Sequence, residues 1–209
     1  MKKIMMLLMA FCLIVPTMNA QNKALEKARK KEFQTKMKEF KKEKWQLFGT
    51  TRTFEVALLS HYDKLNSLGD DGAEIMGVAT KVKSKNLGHQ MAVNNACLTY
   101  AQQAGSHLKG RVVSDMSGNA TDTEGEFDKF YAAYERLVEK EIRGELKESF
   151  TIIRTNDDGT YEMQSYFIVD EKAASSARIR ALEDAARESE MAQKYAKKVG
   201  DFVREGFKE

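Results

Sequence analysis

Residues 145–170, ELKESFTIIRTNDDGTYEMQSYFIVD, carry the clearest local signal in the chain. Residues 145–155 and 160–170 alternate apolar and polar, and Asn156-Asp157-Asp158-Gly159 separates them with the residue types that accept a tight turn. The stretch therefore reads as a β-hairpin. Leu146, Phe150 and Ile152 are expected to face one way on its first strand, and Tyr161, Met163, Phe167 and Val169 one way on its second. The reverse side of the second strand carries Tyr166 and Ile168. It is too apolar to be wholly solvated, so something must cover part of it. An antiparallel hairpin also excludes a purely parallel wound sheet.

Upstream, residues from about Glu126 to Ile142 read as a helix with an aromatic buried face of Phe127, Phe130, Tyr131 and Tyr134, continued by Leu137, Val138 and Ile142. Gly144 closes it. Residues 110–116 read as a strand with Val112 and Met116 on one side. Asn86 to Leu108 reads as a helix with Leu87, Met91, Leu98, Ala101 and Leu108 as its core stripe. Its small residues Ala92, Ala96, Ala101, Ala104 and Gly105 permit close approach to a sheet. Residues 74–82 read as a strand with Met76, Val78, Thr80 and Val82 on one side. Before it, Thr51 or Thr53 can cap a helix with Glu55 in the first turn and Phe54, Leu58, His61 and Leu65 on one face. Ser67 to Gly72 ends that helix as a loop.

Downstream, about 172–206 reads as one long alanine-rich helix. Ala181, Ala185, Ala192, Tyr195, Val199 and Phe202 follow a coiled-coil-like spacing, interrupted by Glu188, that suits contact with another helix, either the N-terminal one or its copy in a second chain. The expected fold class is α+β: a two-layer domain over 47–170 with a small antiparallel sheet of about four strands and packed helices, plus long N- and C-terminal helices over 21–46 and 171–209.

The chain has 209 residues, a formal net charge of +3, two cysteines and one proline. That length suits one domain with helical extensions. Two cysteines cannot build a disulfide scaffold or a four-cysteine zinc site. Lys2 and Lys3, the apolar run Ile4–Val15, Pro16 and the small residue Ala20 make the three parts of a secretory signal over residues 1–20. The run is shorter than the ~20 residues of a membrane span. Cys12 lies inside it behind the bulky Phe11, which does not fit a lipid-attachment site. The expectation is an exported chain, in the periplasm, associated with the outer membrane, or extracellular. After cleavage it keeps Cys97 as its one cysteine and has no proline. A lone Cys97 forms no internal disulfide, and a buried structural role is the commoner case.

Residues 22–45 hold ten Lys or Arg against four Glu. Phe33, Met37, Phe40 and Leu47 recur at helical spacing, giving a basic helix with a narrow apolar stripe. Lys30, Lys31, Lys38, Lys41 and Lys42 are its candidate surface-binding residues, for an anionic membrane surface.

No catalytic, cofactor or metal site is expected. His89 and His107 lie on one helix ~27 Å apart, and Cys97 and His89 are too far apart for a thiolate pair. His61, between Leu58 and Leu65, reads as a satisfied core histidine. Asp70-Asp71, Asp157-Asp158 and Glu183-Asp184 sit in turns or on charged helix faces, and no phosphate-binding, nucleophile-elbow or zinc-protease string occurs. Nucleic acid is not an expected partner, because aromatics are few on the basic helix. Phe127, Tyr131, Tyr134 and Tyr166 could line a small-ligand pocket, although such aromatics are more often plain core.

The strand Ile75-Met76-Gly77-Val78-Ala79, the helix with Ala92, Ala96, Ala101 and Ala104, the run Gly110-Arg111-Val112-Val113-Ser114 and the hairpin residues Asp158-Gly159-Thr160-Tyr161 form a set. Together they resemble the Lpp-type membrane-associated lipoprotein family, which is similar to the N-terminal domain of the flagellar T protein. The resemblance spans about 73–170. It implies a long helix laid on a small antiparallel sheet, and an envelope protein that acts in assembly or binding, with no catalytic residues to carry over. Two features depart from it: the missing lipid-attachment motif and the long charged helices at both ends. The leading expectation is a non-enzymatic envelope-associated protein acting by protein–protein association, as a homo-oligomer or with an envelope protein. The alternatives are a peripheral binder of anionic membrane, and a small-ligand binder or enzyme.

Overall fold

In chain order the computed structural model, which describes residues 27–116, 124–187, 200, 201 and 203, runs α1 (27–42), β1 (Gln46–Phe48), α2 (Phe54–Leu68), β2 (Gly72–Val82), α3 (Lys85–Met116), α4 (Glu124–Ile142), β3 (Lys147–Thr155), β4 (Tyr161–Asp170) and α5 (Glu171–Arg187). The sheet order is β1-β3-β4-β2, antiparallel throughout. The fold class is α+β, as expected. The chain divides into two units, one up to Trp45 and one from Gln46 onward.

In the first unit, α1 stops where Lys44 adopts a positive φ of 58°. The Trp45 N–H returns to the Phe40 carbonyl at 3.0 Å, and the indole N–H donates to Glu43 at 3.0 Å. This reversal removes Leu47 from the helical stripe expected for it. Leu47 is instead a strand residue of β1, opposite Ile152.

In the second unit the hairpin forms as its sequence dictates. Gly159 supplies a φ of 78°, the Asn156 N–H donates to Thr160 O at 2.8 Å, and the Gly159 N–H donates to Asn156 O at 3.0 Å. The Thr160 hydroxyl and N–H both donate to Asp158 and hold its carboxyl below the usual carboxylate range. A register shift between Glu148 and Phe150 splits the single-sided set expected on β3. Leu146 joins the core beneath the large helices, while Phe150 stacks on Tyr166 on the other face.

β2 differs more. Its face toward α3 is Ile75, Gly77 and Ala79, with Val82 brought to the same core by a bulge at Lys81, whose φ is 54°. Of the four residues expected on one side of the strand, only Val82 is there; Met76 and Thr80 are exposed and Val78 is half-buried. The reason lies at Gly77. A Cβ at this position would sit 1.8 Å from the Ala92 carbonyl oxygen and 2.7 Å from the Ala96 nitrogen. Helix and strand backbones therefore touch, and only small residues fit between them. Accordingly α3 buries Ala92, Ala96, Cys97, Tyr100, Ala101, Ala104 and Leu108. Of the stripe expected on this helix, Ala101 and Leu108 are buried, but Leu87, Met91 and Leu98 point outward.

The strand expected at 110–116 does not form, since α3 continues through Gly110 to Met116. Extending an existing helix adds a hydrogen bond per residue without a new nucleus, which outweighs a glycine cost of about 1 kcal/mol. The fourth strand of the sheet is β1 instead.

α4 presents the expected aromatic face. Phe130, Tyr131, Tyr134, Val138 and Ile142 share one core with Phe167 and Val169 of β4 and with Ala174, Ala177, Ala181 and Ala185 of α5. Asp170 caps α5 by accepting from the N–H groups of Lys172 and Ala173. On the reverse face of the sheet, α2 is capped by Thr53, whose hydroxyl accepts from the Val56 N–H at 3.3 Å. It buries Ala57, Leu58 and His61 there. This helix is the cover that Tyr166 requires.

Replacing Gly77 with Ala should cost about 3 kcal/mol through overpacking. Gly110→Ala, where a Cβ meets nothing within 4 Å, should stabilise the helix by about 1 kcal/mol. Urea denaturation of both variants measures the two effects.

Candidate functional site

Lys30, Lys31, Lys38, Lys41 and Lys42 are all exposed on α1. The C-terminal seam fares differently. Ala181 and Ala185 are fully buried in the core of their own chain and offer nothing to a second one. Ala192, Tyr195, Val199 and Phe202 lie outside the described residues. The aromatic set does not converge either. Tyr131 and Tyr134 belong to the core on the α3 side, whereas Tyr166 lies on the opposite face of the sheet against His61. The Phe127 side chain lies outside the described set.

Each of two histidines has one carboxylate partner, and the sheet separates the pairs. His61 is 1% exposed, with Nε2 2.5 Å from Glu74 Oε2 and its ring edge-on to Phe150 and Tyr166. It is a core histidine, as expected, but it is not fully satisfied: Nδ1 is buried without a hydrogen-bond partner. On the α3 side, His89 Nε2 lies 3.0 Å and 3.1 Å from the two Glu148 oxygens. Glu148 accepts the Thr151 hydroxyl at 2.6 Å, and Thr151 contacts the buried Ser165 hydroxyl at 2.7 Å. Nucleophilic catalysis requires the hydroxyl to meet the imidazole directly. Here the carboxylate stands between them and both hydroxyls are buried. The chain of bonds therefore ties the start of α3 to β3 and orients His89 beside Phe48, without activating Ser165. Among the described residues no group of three His, Cys, Asp or Glu could hold a metal ion.

Sequence reading missed a buried ionic cluster. Arg178 Nη1 donates to Glu171 Oε2 at 2.6 Å and also to the Tyr100 hydroxyl, which itself donates to Glu171 at 3.2 Å. One guanidinium thus joins the start of α5, the middle of α5 and the centre of α3. Burial pushes the Tyr100 and Tyr134 hydroxyls far above their ordinary range, and burial with Asp128 nearby pushes Tyr131 up to about 12. The signal was present in the sequence: Arg178 sits among Ala174, Ala177 and Ala181, on the buried side of α5. Cys97 is buried as well, and desolvation raises its thiol, so it is held protonated and shielded from exchange.

The most unusual surface belongs to α3. Leu87, Met91 and Leu98 are 52%, 38% and 41% exposed and lie within ~40° of one another around the helix over ~17 Å of its length. Asn86, Gln90, Asn94, Asn95 and Gln102 around them are also exposed. In a chain with 31% charged residues, the run from Asn86 to His107 contains no Asp, Glu, Lys or Arg. Charge depletion around exposed leucine and methionine marks the centre of protein interfaces. The adjacent edge strand β2 is guarded by its bulge at Lys81 and by Asn95 Nδ2, which donates to the Val78 carbonyl at 2.6 Å. The helix face, and not the strand edge, is therefore the open surface.

No known protein family, curated protein or solved structure matches the chain.

Arg178→Met should cost about 3 kcal/mol, because Glu171 is left without its cation in the core. Adding Glu171→Leu should restore most of the loss. Denaturation midpoints of the single and double variants check this.

Proposed function

We propose that this is an exported, envelope-associated protein that works by protein–protein association and not by turning over a substrate, with a second copy of the chain as its first partner. The observation that carries the reading is the uncharged, leucine- and methionine-bearing face of α3. A helix that only meets water places charge on its outer face. This one places neutral amides of its own around three exposed apolar side chains, with the Arg143 guanidinium donating to Asn94 at 2.7 Å beside them, an apolar centre with polar groups around it, as an interface has. A symmetric pair of α3 helices would bury the stripe against itself, the self-complementary contact that two-fold dimers use. The reading relocates self-association from the C-terminal helix to α3, since Ala181 and Ala185 are already spent inside the chain. The export signal over residues 1–20 supports the envelope setting. An envelope role is also what the resemblance to the Lpp-type family implies. Among the described residues no helix is long and apolar enough to cross a membrane.

Light scattering across a concentration series tests it. The mass should rise toward that of a dimer, and Met91→Lys/Leu98→Glu should stay monomeric with an unchanged circular dichroism spectrum. A wild-type chain that is monomeric at every concentration contradicts the proposal.

A further inference from the structure

The basic helix sorts its charges around its axis in a way that its composition alone does not require. At ~100° per residue, Lys27, Lys30, Lys31, Lys38, Lys41 and Lys42 fall in a ~120° arc of α1, with Gln34 as the other member. All seven are exposed. Both glutamates of the helix, Glu32 and Glu39, lie on the back with Arg29 and Lys36, where Lys36 pairs with Glu39 at 3.8 Å. Phe33, Met37 and Phe40 occupy the remaining side. Among the described residues none of the six lysines is ion-paired.

This arrangement works against the helix that carries it. Lys27 with Lys31 and Lys38 with Lys42 are like charges at i,i+4, and Lys27 with Lys30 and Lys38 with Lys41 are like charges at i,i+3. Each such pair weakens a helix. A helix needing only solubility would interleave its glutamates with these lysines. Sorting them to the back concentrates positive charge on one face and needs an external anion to offset the repulsion.

The six charges extend along ~22 Å and do not converge on a point, so they suit an extended charged surface more than a single phosphate. They are all lysines, which act as point charges without the forked, bidentate geometry that arginine brings to nucleic-acid recognition. We infer that the lysine face of α1 docks the protein on the surface of a bilayer containing anionic phospholipid, lying flat on the headgroups. The inference is independent of the α3 stripe, which belongs to the other unit.

The test is sedimentation of the processed chain that begins at Gln21 with vesicles of phosphatidylcholine containing phosphatidylglycerol, and with vesicles of phosphatidylcholine alone. Binding should require the anionic lipid and weaken as salt rises. Lys30→Gln/Lys38→Gln should reduce the partition coefficient about 25-fold, at about fivefold per lysine. Arg29→Gln/Lys36→Gln removes the same charge from the back and should reduce it less than about threefold. Equal losses from the two variants would overturn the inference, because net charge and not the face would then govern binding. It would also be overturned by indifference to anionic lipid, or by tight binding to heparin without binding to the vesicles.

Discussion

The contact between the backbone of α3 and the backbone of β2 at Gly77 governs the larger unit. With the Ala92 carbonyl oxygen 1.8 Å from where a Cβ would be, the helix lies too close to the sheet for any large side chain to pass between. Ala92 and Ala96 fill the contact, and Gly77 is opposed within the sheet by Ser165, another small residue. The large residues of α3 must then go elsewhere. Tyr100 and Leu108 enter the core, while Leu87, Met91 and Leu98 are turned outward. The surface proposed for association is thus a direct consequence of how tightly the helix is laid down.

A close-packed small-residue core gains less from hydrophobic burial per residue than one built of leucine and phenylalanine. The unit supplements it in two ways. α4 contributes the large rings of Phe130, Tyr131 and Tyr134 to the core shared with α5. The buried Arg178–Glu171–Tyr100 cluster links α3 to α5 through hydrogen bonds. Such a buried pair adds little net stability over an apolar replacement. Its effect here is to tie α5, which packs chiefly on α4, across to Tyr100 of α3.

The hairpin, the small antiparallel sheet, the aromatic helix α4 and the Thr53 cap were legible because each depends on local chemistry: alternation, turn residues, periodicity and a capping hydroxyl. The errors share another origin. Leu87, Met91 and Leu98 were assigned inward because hydrophobic size usually predicts burial, but here helix–sheet distance decides it. Met76, Val78, Thr80 and Val82 were assigned to one side of β2 by alternation, and the bulge at Lys81, which moves Val82 off that side, cannot be read from alternation. Val112-Val113 after Gly110 resembled a strand because β-branched residues favour one; an already nucleated helix overrode that preference. β1 was hidden because a three-residue strand has too few residues to show a period. At the candidate surfaces, the exposed lysines of α1 were legible individually, but the acid-free sorting required the helix itself. The two seam residues that are described, Ala181 and Ala185, proved to be interior.

A helix pressed on a sheet by its small residues leaves its large apolar residues on an outer face. Methyl-resolved nuclear Overhauser measurements test that junction most directly. Contacts from the Gly77 Hα protons to the Ala92 and Ala96 methyls are predicted, with none from the Leu87, Met91 or Leu98 methyls to Phe167 or Val169. Observing the second set in place of the first would mean that α3 is rotated, with its large residues inward, and would contradict the account.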